Sequence, residues 1–116
     1  MNNQPKGLKL IITIVERKKG KKVIKLFEKV GCVNHQTLLG KGTAPKEVFD
    51  LLGFGGVEKD VVISIADESI VPAMFDVLAT KMNFNEPGHG VAWSINICSV
   101  GGTRALQEIM GMFNKE

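Results

Sequence analysis

The chain has 116 residues, a net charge of +3 and 44% hydrophobic and 23% charged residues. These values suit one modest globular domain, 1–116, and exclude a disordered tail. They also argue against nucleic acid as a partner, because such binders concentrate more positive charge. The longest apolar runs are too short to span a bilayer, and the first residues lack the apolar core of a signal peptide. A cytoplasmic protein is the expectation.

Leu8 to Val15 reads as a strand, β-branched and apolar on both sides, with Leu10, Ile12 and Ile14 facing one way and Ile11, Thr13 and Val15 the other. Lys18 to Val30 reads as a helix with Val23, Leu26, Phe27 and Val30 on one stripe, ended by Gly31. The dense basic run from Arg17 to Lys22, with Lys25 and Lys29 following, reads as a solvated helix start and outer helix face, with an anion-binding or membrane-surface patch as the alternative. It has no interleaved aromatic residues for stacking single-stranded nucleic acid. Cys32 to Leu39 reads as a second strand.

The pattern then breaks over a long loop, about 40–60, between Gly40-Lys41-Gly42 and Gly53-Phe54-Gly55-Gly56. Within it Thr43 can cap a short helix through Leu52. Long insertions between strands are often functional, and Phe54, Gly55 and Gly56 would suit a docking tip. Val61 to Ala66 is a third strand. Asp67 can cap a second helix to about Met82, with Pro72 near its first turn and Ile70, Met74, Phe75, Leu78 and Met82 on its stripe. Asn83 to Gly90 is a loop and Val91 to Cys98 a fourth strand. Gly101-Gly102 makes a turn, and a short helix at about 103–113 closes the chain.

The order β-α-β, loop, β-α-β is the split βαβ arrangement: a ferredoxin-like α+β fold with both helices on one face of an antiparallel sheet. The halves align, Lys9–Glu16 against Asp60–Asp67. Strands one and three are apolar on both sides, so the face without helices calls for self-association.

Cys32 and Cys98 have no metal-ligand spacing, and a buried reduced thiol is expected for each. His35 is expected at the surface or an interface, and Trp93 in the core or a subunit interface. Gly40-Lys41-Gly42-Thr43 lacks the full spacing of a phosphate-binding P-loop. No Ser-His-Asp, Cys-His or paired-carboxylate constellation is present in the sequence, which argues against an enzyme.

With these elements in place, the chain resembles the PII signal-transduction proteins and their PII-like relatives. The resemblance runs from about Lys9 to Gly102. It rests on Gly40-Lys41-Gly42 at the loop root, on Glu86-Pro87-Gly88-His89-Gly90-Val91-Ala92-Trp93 before the last strand, and on the segment Phe49–Asp60, which looks like a divergent branch. It implies a homotrimer that binds ATP, ADP or another adenine nucleotide between subunits. It also implies that the long loop docks on a target protein such as an enzyme or membrane transporter. On that basis the small anionic ligand would meet Gly40, Lys41, Gly42, Gly88, His89, Gly90 and Arg104.

The departures also bear on function. Thr43 and Ala44 stand where the family has arginine and glutamine, so 2-oxoglutarate binding is not expected. Val91 replaces a phosphate-binding lysine, and the paired C-terminal arginines are reduced to Arg104. The chain has no tyrosine and residues 41–59 no serine, which excludes loop nucleotidylylation on tyrosine and phosphorylation on serine. The alternative reading is a metal-handling trimer like the CutA proteins, which share this fold; the scarcity of ligand residues counts against it.

Overall fold

The computed structural model describes residues 7–40 and 58–102. The elements are β1 (Leu8–Glu16), α1 (Gly20–Lys29), β2 (Asn34–Gly40), β3 (Lys59–Asp67), a 3-10 turn (Glu68–Ile70), α2 (Val71–Lys81) and β4 (Gly90–Asn96). The strands form one sheet in the order β2-β3-β1-β4, with every neighbouring pair antiparallel. This is the expected ferredoxin-like α+β fold. The short helix expected from Thr43 to Leu52 and the closing helix at about 103–113 lie outside the described residues. So do Lys41, Gly42, Phe54, Gly55, Gly56 and Arg104.

Period-2 alternation divides the sheet into two faces. Ile11, Thr13, Val15, Val62, Ser64 and Ala66 are buried on the helix side. Val23 and Phe27 of α1, and Met74 and Leu78 of α2, close over them with Cys32 and Met82. Each stripe read from the sequence thus supplies the core, while Leu26, Val30, Ile70 and Phe75 are only partly buried at its margin.

Helix ends depart from the expected boundaries for definable reasons. The chain does not become helical at Lys18, whose φ is 76°. α1 starts at Gly20 because Asp60 reaches over from β3. Its Oδ2 accepts from Lys18 N–H at 2.8 Å and Gly20 N–H at 3.0 Å, an N-terminal cap supplied from another element. A side chain at residue 20 would press a Cβ to 2.9 Å from that same oxygen. The far end of α1 behaves as expected. Gly31 N–H donates to Glu28 C=O and Cys32 N–H to Phe27 C=O, with Gly31 at φ 106°, a Schellman closure.

Asp67 is a cap, but of the 3-10 turn: its carboxylate accepts from Ser69 N–H at 3.1 Å. α2 begins only at Val71, with Pro72 in its first turn, where the missing N–H costs nothing. β2 begins at Asn34, two residues after the expected Cys32. β4 ends at Asn96, two residues before the expected end at Cys98. Cys98 therefore falls beyond the sheet and is exposed, correcting its expected burial; Cys32 is buried as expected.

Candidate functional site

The sequence assigns ligand contact to the loop root and the turn before β4, and the strand register locates both at one end of the sheet. Gly40 pairs with Lys59, Lys59 with Glu16, and the neighbouring Val15 with Gly90. Gly40 and Gly90 therefore sit on opposite edges, three strand spacings or about 14 Å apart. Within one chain they do not converge on one small ligand.

The turn itself is built by the end of α2. Asn83 takes φ 58° immediately after the helix, a left-handed position that asparagine tolerates. Phe84 N–H then returns to Leu78 C=O and Glu86 N–H to Asn83 C=O. The two glycines of the turn do different jobs. Gly88 has φ 83° and nothing within 4 Å of where a Cβ would sit, so its backbone faces open space at the tip. Gly90 is packed: a Cβ there would overlap the Phe84 ring and lie 3.1 Å from Ile14 C=O. Gly90 is thus required by Phe84, a packing role beside the ligand contact expected of it. His89 lies between them, its N–H turned inward to Glu86 C=O and its Nε2 3.3 Å from the Glu86 carboxylate.

On the helix side, two hollows flank this turn. One, of about 370 Å³, is apolar and lies between α2 and β4, lined by Phe75, Leu78, Phe84 and Ala92 among others. The second, of about 140 Å³, lies between the start of α1 and the end of α2 and is lined by Lys19, Lys22, Lys81, Met82, Asn83 and His89. The basic run Arg17–Lys22 marks two of these lysines in the sequence, whereas nothing local ties Lys81 or His89 to them.

Sequence reading also misses Lys59. It is buried beside Gly40 at the loop root, opposite Glu16 in register. A sequence pass reads such a lysine as loop, because nothing local marks it as buried.

His35, expected at the surface or an interface, keeps intermediate exposure. It is half-buried on the helix side, its ring stacked on Phe27 at 6.2 Å. Its Nε2 is 2.9 Å from Cys32 C=O, which can only accept, so Nε2 carries the proton there; Nδ1 is 3.1 Å from Ser64 Oγ. Cys32 beside it donates toward Ile65 C=O, and burial pushes its thiol up to about 11. Among the described residues no group of three or more His, Cys, Asp or Glu could hold a metal ion, and no helix is long and apolar enough to cross a membrane.

The sheet face away from the helices carries Leu10, Ile12, Ile14, Val61, Ile63, Ile65, Val91, Trp93 and Ile95. Most are only partly buried, and Ile95 is 45% exposed. Trp93 lies at the centre of the β4 edge of this face, opposite Ile12, and not in the helix-covered core.

No protein-family model matches the chain, and no curated protein matches it significantly. Solved structures do. A PII-like signalling protein from Thermus thermophilus superposes with a TM-score of 0.58 at 15% identity, over 84% of this chain and 93% of that one. The nitrogen regulatory PII-like protein CPII from Thiomonas intermedia, bound to ADP, AMP and acetate, gives a TM-score of 0.60 at 16% identity, over 82% and 89%. The same protein with ADP, AMP and bicarbonate gives 0.57 at 19%, over 82% and 93%. At these identities the likeness concerns architecture, and it agrees with the topology derived above: the chain has the fold of the PII-like signalling proteins.

Proposed function

We propose that this chain is a non-catalytic, cytoplasmic regulator of the PII-like kind, a homotrimer that binds an adenine nucleotide, ADP or AMP in the first instance, between subunits. The observation that carries this reading is the placement of Gly40 and of Gly88-His89-Gly90 at one end but on opposite edges of the same sheet. Such a pair is split within a chain and is joined if a neighbouring copy brings its β2 edge to this chain's β4 edge. The apolar face of nine residues supplies a reason for copies to associate. The nucleotides named with a structure of the same fold supply the ligand class.

In this reading Gly88 lets the backbone approach the phosphates, and Lys41, His89 and Arg104 add positive charge. Gly40 and Gly42 shape the loop root, while Gly90 keeps the turn in place through Phe84. The segment between β2 and β3 then presents Phe54, Gly55 and Gly56 to a target protein, an enzyme or a membrane transporter.

The test is calorimetry with ADP and with AMP on the parent and on Gly88→Val, alongside light scattering. Saturable binding by a particle about three times the 12.6 kDa chain, abolished in a still-trimeric Gly88→Val, is the expected result. A monomer, or nucleotide binding indifferent to Gly88→Val, overturns the site. With Mg-ATP present, 2-oxoglutarate is expected not to bind, since Thr43 and Ala44 replace the arginine and glutamine of the resemblance.

A further inference from the structure

The hollow between α1 and α2 concentrates positive charge in a way the nucleotide reading does not use. Lys19 and Lys22 come from the start of α1, Lys81 from the last turn of α2, and His89 from the turn before β4. Its floor is the buried Met82. Lys19 lies 3.4 Å from Glu16, and His89 faces Glu86, but neither Lys22 nor Lys81 has a carboxylate partner among the described residues.

Lysines scattered on a helix normally diverge into solvent. Here the start of α1 and the end of α2 bring them to the rim of one concavity, where a shared anion would relieve their mutual repulsion. The charge balance of the two helix ends fits as well. Asp60 already sets a carboxylate at the start of α1, on Gly20 N–H and on Lys18 N–H just before it, so the site draws on side chains. Lys81 sits at the C-terminus of α2, where its charge offsets the negative end of the macrodipole that would otherwise repel an anion. A volume of about 140 Å³ equals that of about four to five waters, enough for a phosphate group.

We propose that Lys19, Lys22, Lys81 and His89 form a binding site for a small phosphate-bearing anion, on the helix side of the sheet and within one subunit. It shares only His89 with the proposed nucleotide site and stands whether or not that site exists.

Inorganic pyrophosphate is the probe, titrated calorimetrically at fixed ionic strength against the full chain. The parent is expected to bind saturably. The double variant Lys22→Gln/Lys81→Gln should bind about tenfold more weakly or worse, as the loss of two charge-assisted contacts implies. Lys25→Gln/Lys29→Gln removes the same charge from exposed positions elsewhere on α1 and should bind like the parent. Absence of saturable binding by the parent overturns the site, as does equal weakening in both double variants, which would reveal general screening. A folded Lys22→Gln/Lys81→Gln protein, verified by circular dichroism, that binds like the parent overturns it too. ADP titrated in the presence of pyrophosphate separates the sources of phosphate. Mutual exclusion assigns the hollow to a nucleotide's phosphates and additive binding to a free one; both outcomes support the site. Loss of ADP binding in Gly88→Val with pyrophosphate binding intact would separate this site from the nucleotide reading.

Discussion

The two faces of the sheet are built from the same strands yet meet different surroundings. On one face Ile11, Val15, Val62 and Ala66 are sealed under Phe27, Val23, Met74 and Leu78 of the same chain. On the other, the equally apolar Leu10, Ile12, Ile63 and Ile65 have no described helix over them and are only partly buried. A polar exterior would be ordinary for an antiparallel sheet with helices on one side. Stability of the single chain should therefore reside on the helix side, and association of chains on the other.

Substitutions at the centre of each face should tell the two apart. Phe27→Ala should cost about 3–5 kcal/mol in urea unfolding, because Phe27 is fully buried where α1, Cys32 and His35 meet. A loss below about 1 kcal/mol would mean that α1 is not the lid of the core. Ile63→Lys, in the middle of the other face, is expected instead to yield a folded 12.6 kDa monomer by light scattering, with circular dichroism unchanged. An unaltered particle mass would show that this face is not where copies meet.

Cysteine chemistry extends the contrast on a smaller scale. Cys98, exposed past β4, should react readily with a maleimide in the folded protein, whereas Cys32 should react only on unfolding. The thiol of Cys32 titrates near 9.0 when unfolded and about 11 when folded. Its neutral form is favoured by burial, so its contribution to stability is complete below pH 9.0 and is lost as the pH rises toward about 11. A Cys32→Ala variant should show a shallower decline in stability across that window. A parallel decline in parent and variant would remove Cys32 as the cause.

The smallest effect concerns a flaw on the helix side. Thr13 is fully buried between Val62 and Ala92, and its Oγ1 has no hydrogen-bond partner. Thr13→Val keeps the shape and removes the unpaired hydroxyl, so it should stabilise by about 1 kcal/mol. A loss of stability would mean the hydroxyl is satisfied after all.

The architecture is legible in the amino-acid order alone. Period-2 alternation in Leu8–Val15 and Val61–Ala66, period-3.6 stripes ending at Gly31 and near Met82, and the repeated βαβ order leave few topologies open. The glycine turn and the apolar second face are legible too, because both are written in consecutive residues. Other features join residues far apart in the chain and emerge only once the elements pack. Asp60 capping α1, His35 wedged between Phe27 and Ser64, Phe84 claiming Gly90, and Lys81 and His89 lining one hollow with the basic start of α1 have no local signature. Side-chain periodicity records which way a residue points relative to its own element. It carries no record of which residue of another element will stand opposite, and that is fixed by the packing of helices on the sheet.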